Sequence, residues 1–163
     1  MLISRSDAAV SGRDREPAAA SFAHVGICVS DLERSLRFYC EALGFVAVDA
    51  HDVGDTFARL MELEHVELRS QFIRGANGER LELLSFRTPP IEGDRRRRPL
   101  NRLGLTHLCF RVCDIDEVAE RIRQLGGEVH DHTRTVLGAS GEAPEFVYCS
   151  DPDGVRIELM RLD

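Results

Sequence analysis

Apolar residues fall into the same sequence of patterns twice along this chain. His24-Val25-Gly26-Ile27-Cys28-Val29 is a strand-like run that reaches Asp31, and His107-Leu108-Cys109-Phe110-Arg111-Val112 is another that reaches Asp114. Each aspartate opens a stretch of helical spacing: Leu32, Leu36, Tyr39 and Leu43 in the first, Ile115, Val118, Ile122 and Leu125 in the second. A carboxylate at this place accepts the free N–H groups of a first helical turn, so Asp31 and Asp114 read as N-caps. Glycines close both stretches, Gly44 and Gly126-Gly127, where a left-handed C-cap is needed. The pattern predicts helices over Leu32–Leu43 and Ile115–Leu125.

The ends of the two halves repeat as well. Gly78-Glu79-Arg80-Leu81-Glu82-Leu83-Leu84 aligns with Gly154-Val155-Arg156-Ile157-Glu158-Leu159-Met160. The halves are offset by 83 residues at their starts, from 24 to 107, and by 76 at their ends, from 82 to 158. The first half is therefore the longer between its anchors. Turn signals precede both final strands, Gly75-Ala76-Asn77-Gly78 and Asp151-Pro152-Asp153-Gly154. Each half reads as strand, helix, then three strands ending in a hairpin. A short helix over 55–63 is expected before a strand over 66–74. The fold class is α+β, as two βαβββ modules spanning 21–87 and 105–163. Residues 1–20 lack periodicity and read as a disordered leader. The segment 88–104, with Pro89-Pro90 and the run Arg95-Arg96-Arg97-Arg98-Pro99, reads as a solvated linker, with a basic anion-binding patch as the alternative.

Composition narrows the function classes. The 163 residues are 43% hydrophobic, enough for a sizeable core, and carry a formal net charge of -7. That charge disfavours general affinity for nucleic acid or anionic membrane. No run approaches a membrane span, and the start has no apolar signal region, so a cytoplasmic protein is expected. Five cysteines, Cys28, Cys40, Cys109, Cys113 and Cys149, are odd in number and form no CxxC pair, so they read as small buried thiols rather than disulfides or zinc ligands.

Four residues stand at repeat-equivalent positions with chemistry to offer. His24 and His107 open the first strand of each half, and Glu82 and Glu158 lie in the last. Strand alternation sets Glu82 on the face opposite Leu81 and Leu83, and Glu158 opposite Ile157 and Leu159. Such carboxylates are polar groups aimed at something, and two of them at one site repel unless a cation lies between. Imidazole and carboxylate together suit a single divalent ion: Ni, Zn, Co, Mn or Fe. Four protein ligands on an octahedral ion leave two positions open, which suits a bidentate oxygen substrate. Arg80, Arg111 and Arg156 share the ligand face and read either as surface ion pairs or as anion partners. His130 and His132 read as exposed, and His51 and His65 lack partners of this kind.

The segments AHVGICVSDLERSLRFYCEALGF, GERLELLSF, GLTHLCFRVCDIDEVAERIRQLGG and DPDGVRIELM resemble the vicinal oxygen chelate superfamily over about residues 22–162. That superfamily includes glyoxalase I, methylmalonyl-CoA epimerase, extradiol dioxygenases and the fosfomycin and bleomycin resistance proteins. The resemblance implies an open, barrel-like sheet enclosing a metal, with His24, Glu82, His107 and Glu158 as ligands. It implies a glyoxalase I-like lyase or isomerase, or an epimerase, that abstracts a proton beside a carbonyl through a metal-stabilised enediolate. Glu158 or Glu82 then serves as base, Glu158 by preference. The alternatives are an Fe(II) extradiol-type dioxygenase and an antibiotic-binding resistance protein without turnover. The expected partners are a small molecule with vicinal oxygens and a second copy of the chain. The two modules meet either within one chain or, by exchange, between two.

Overall fold

The computed structural model describes residues 20–138 and 143–162. The expected leader, apart from Ala20, lies outside the described residues. In the first half, β1 (Val25–Cys28), β2 (Val46–Val53), β3 (Glu67–Arg74) and β4 (Arg80–Thr88) form one sheet in the order β1-β4-β3-β2. In the second, β5 (Leu108–Arg111), β6 (Glu128–Val129), β8 (Glu145–Ser150) and β9 (Arg156–Arg161) form another in the order β5-β9-β8-β6, with β7 (Thr135–Val136) also on β8. In both sheets the first strand runs parallel to the last, β1 on β4 and β5 on β9. The twice-repeated βαβββ order is thus observed, as two open sheets.

Local chemistry accounts for the helices. Helix α1 (Leu32–Arg37) starts where the Asp31 carboxylate accepts the Arg34 N–H at 3.0 Å, and α2 (Ile115–Gln124) where Asp114 accepts the Glu117 N–H at 3.0 Å. Past Arg37 the first helix widens into a π-helical turn over Phe38–Ala42, where Phe38 and Tyr39, adjacent in sequence, are both fully buried. Gly44 and Gly126 follow the two helices with φ of 74° and 84°, the left-handed conformation expected of them. The predicted helix over 55–63 is reduced to one 3-10 turn, Asp55–Phe57, followed by irregular turns. This segment of the longer first half packs Ala58, with Val66, over Leu68, Leu84 and Phe86 in a small second cluster.

One hydrophobic core serves both halves. Ile27, Val29, Leu81 and Leu83 of the first sheet, Ile157 and Leu159 of the second, and Ile115, Val118 and Ile122 of α2 close around Phe38 and Tyr39. Each sheet therefore turns its leucine and isoleucine face inward, toward the helices. By alternation, the faces carrying Glu82 and Glu158 point away from that core.

The turn Asp151–Gly154 bolts the halves together. Asp153 accepts hydrogen bonds from the Ser30 N–H at 2.8 Å, from the Ser30 hydroxyl and from Arg34 at 2.7 Å. Tyr39, fully buried, donates its hydroxyl to Asp151 at 3.0 Å, and burial raises the Asp151 carboxyl above its ordinary range. A Cβ on Gly154 (φ 85°) would sit 2.2 Å from the Arg95 carbonyl oxygen. The segment 88–104 is therefore not freely solvated: its side chains are mostly exposed, but its backbone is docked on this turn, and Arg156 donates to the Arg98 carbonyl at 2.7 Å.

His130 departs from expectation. It is 4% exposed, with Nε2 2.8 Å from the Ser150 hydroxyl, while His132 is exposed. A 3-10 turn over Asp131–Thr133 follows His130, and the two imidazoles meet edge to face at 6.1 Å, the first covered and the second open to solvent. Burial, then the charge of Arg97, hold the His130 pKa below its usual value. Among the described residues, no helix is long and apolar enough to cross a membrane.

Two measurements test these contacts. Tyr39→Phe removes the donor to a buried carboxylate and is expected to destabilise the fold by about 1–3 kcal/mol in urea denaturation. Because the folded state disfavours His130 protonation, its contribution to stability is complete above the ordinary imidazole pKa of about 6.5 and is lost as pH falls below it. His130→Gln should flatten that part of the stability–pH curve.

Candidate metal centre

Each half presents a His–Glu pair on its outward face. His24 Nε2 lies 3.2 Å from Glu82 Oε2, and His107 Nε2 lies 2.9 Å from Glu158 Oε2. Glu82, His107 and Glu158 are partly covered, at 18% to 27% exposure, while His24 is exposed at 39%. The strand register explains the pairing: Gly26, two residues past His24, lies beside Glu82, and Cys109, two past His107, lies beside Glu158.

The surroundings repeat too. The His24 ring meets Phe72 edge-on at 5.3 Å, and the His107 ring meets Tyr148 at 5.6 Å. Phe72 is the register partner of Glu82 and Tyr148 that of Glu158. Arg80 lies over Phe72 at 4.8 Å and Arg156 over Tyr148 at 5.6 Å. Sequence reasoning missed the two aromatics, although each stands ten residues before its glutamate, at 72 and 82, and at 148 and 158. Of the three arginines noted on this face, Arg80 also pairs with Asp49 at 3.3 Å, and Arg156 donates to backbone carbonyls.

The pairs differ in what steadies the carboxylate. Buried Ser70 donates its hydroxyl to Glu82 Oε1 at 2.6 Å. The register place of Ser70, beside Leu84, is taken in the second half by Phe146, beside Met160, and Phe146 offers no donor. Cys109 stands beside Glu158 in the register instead, and its thiol is pushed up to about 11 by burial first and then by the Glu158 carboxylate. In the first half Gly26 leaves that place open, its nearest contacts being Leu84 and, at 4.0 Å, Glu82. The expectation of buried thiols holds for Cys149 alone: Cys28, Cys109 and Cys113 are exposed and Cys40 is intermediate, and all five are free. Cys28 and Cys109 lie at alternating positions on the outward face, and strand-like hydrophobicity does not reveal which face is covered.

Donor geometry tests the fit to a metal. Two ligands at right angles on an ion, each bonded at about 2.1 Å, stand about 3.0 Å apart. Both His–Glu pairs have that spacing, which is equally that of a direct hydrogen bond, so each pair is held in place by its own attraction. Imidazole and carboxylate are donors that transition metals accept. Within one chain, however, the two pairs occupy separate outward faces, and among the described residues no three His, Cys, Asp or Glu side chains converge. Each chain carries two separate His–Glu pairs.

The profile of the Glyoxalase/Bleomycin resistance protein/Dioxygenase superfamily matches residues 21–159. The chain belongs to this superfamily. It is 29% identical to a 2-epi-5-epi-valiolone epimerase of Actinomyces sp, over 90% of this chain and 81% of that one. It is 28% identical to a lactoylglutathione lyase of Pseudomonas putida, over 90% and 88%. A glyoxalase family protein from Bacillus cereus superposes with a TM-score of 0.78 at 26% identity, covering 91% of this chain and 99% of that one.

The Cys109 environment predicts its reactivity. With its pKa near 11, Cys109 should be alkylated slowly by iodoacetamide at pH 8 despite its exposure. Glu158→Gln removes the charge and should speed the labelling, read at the Cys109 peptide by mass spectrometry.

Proposed function

We propose that this chain is a divalent-metal-dependent lyase, isomerase or epimerase, and that each active centre is assembled from His24 and Glu82 of one copy with His107 and Glu158 of a second. The observation that carries this is the orientation of the half-sites. Both pairs have the spacing of adjacent metal ligands, both are ringed by an aromatic and an arginine, and both face outward from the core that joins the halves. Two donors hold an ion poorly, and two half-sites on facing copies supply four. The epimerase and lyase relatives support the reaction class.

A divalent ion at such a centre supplies positive charge beside two substrate oxygens, which stabilises negative charge that develops when a neighbouring carbon loses its proton. Glu158 is the base. Beside its histidine, Glu82 is tethered by the buried Ser70 hydroxyl, whereas Glu158 has beside His107 only the neighbouring Cys109 thiol, a weak donor, and is freer to take a proton and return it. Phe72 and Tyr148 hold the imidazoles edge-on and exclude water from one side of each.

Mixed copies test the assembly. His24→Ala and His107→Ala chains, each refolded alone, should bind no ion tightly. Refolded together in equal amounts they should regain about one ion per four chains, because random pairing makes about half of the dimers mixed and each mixed dimer has one intact centre. No recovery on mixing overturns the shared centre. For the reaction class, a panel of 2-hydroxycarbonyl and thioester compounds should yield products that take up deuterium from D2O without oxygen uptake. Oxygen consumption in its place overturns the class.

A further inference from the structure

The arginine run of the linker is the charged feature that the half-sites leave unused. A cavity of about 280 Å³ opens between the edge strands β1 and β5, walled by Arg96, Arg98, Arg102 and Arg156 with His107 and Asp153. Its one carboxylate, Asp153, is already engaged by Ser30, Arg34 and Arg95. Arg102 has no polar side-chain partner among the described residues, Arg98 uses one N–H on the Leu105 carbonyl at 3.4 Å, and Arg96 reaches Asp94 only at 3.7 Å. Each guanidinium carries five N–H donors, so most remain for a ligand. Four guanidinium groups with so little compensation repel one another, in a chain whose net charge is -7. The arrangement is also built rather than loose, since the Arg95 backbone is packed on Gly154 and the Arg98 carbonyl is held by Arg156.

We infer that this cavity is a binding site for a phosphate-bearing ligand. A carboxylate is saturated by one or two guanidinium forks. A phosphate, with three strong acceptor oxygens and close to two charges, accepts several at once. The strand edges add an apolar floor at Val25 and Leu108 for the carbon adjoining the phosphate. His107 is common to this cavity and the second half-site. If the proposed function holds, the phosphate therefore belongs to the substrate and enters from the linker side of His107.

Calorimetry on the metal-free full chain tests the cavity apart from that reading, with inorganic phosphate, pyrophosphate and malonate compared at matched ionic strength. Pyrophosphate should bind most tightly and lose affinity as salt rises. Arg102→Gln and Arg98→Gln should each weaken it about tenfold, the loss of one charge-assisted hydrogen bond, while Arg37→Gln on α1 should not. No binding of either phosphate at about 10 mM, or malonate binding most tightly, overturns the ligand class. Unchanged pyrophosphate affinity in an Arg102→Gln variant with the circular dichroism and Tm of the parent overturns the location. None of these outcomes touches the mixed-copy test of the metal centre.

Discussion

Two carboxylates in one turn, Asp151 and Asp153, set the relation between the halves of this molecule. Buried carboxylates demand donors: Asp151 takes two N–H groups from its own turn, and the other half supplies the Tyr39 hydroxyl, the Ser30 N–H and hydroxyl, and the Arg34 guanidinium. Such contacts add little net stability, because desolvation offsets attraction, but they accept only one arrangement of partners. With α1 fastened to the turn before β9, the helix-covered sides of both sheets meet, and Phe38, Tyr39 and Ile122 fill the space between them. The sheets then have no choice about which face they offer to solvent.

That choice decides what the chain can do alone. Alternation along β4 and β9 puts a carboxylate on every face that the shared core rejects, so each half ends with an imidazole and a glutamate turned outward. The symmetry reaches further than these pairs, to an aromatic under each imidazole and an arginine over each aromatic. It stops at the carboxylates themselves. A serine hydroxyl holds one glutamate and a thiol touches the other, so a duplicated module carries two acids of unequal freedom. Unequal acids in equivalent places are what a centre needs if one is to remain a ligand and the other to move a proton.

The linker has a comparable double character. Its arginines look like solvent-exposed charge, and most are exposed, yet close packing on Gly154 and hydrogen bonding to Arg156 give the run a fixed course past His107. A cationic wall beside His107 draws anions toward this strand edge before any specific contact forms.

Much of this was legible along the chain. The repeat of His24 and Glu82 in His107 and Glu158, the capping aspartates, the closing glycines and the inward and outward faces of β4 and β9 all follow from local rules, because spacing and turn chemistry act between residues near in sequence. The burial of His130, the exposure of Cys28 and Cys109, the Ser70 tether and the docking of the arginine run do not, because each depends on which distant segment lies against the residue. Ser70 shows the difference plainly: its strand and face are local facts, but its value lies in a register that places it 2.6 Å from a carboxylate twelve residues on. By itself the sequence determined the elements, their repetition and the four chemically competent positions. Only the tertiary structure decided how those positions are grouped, two by two on outward faces, since grouping is set by the core and the aspartate turn that join the halves and not by any pattern within either one.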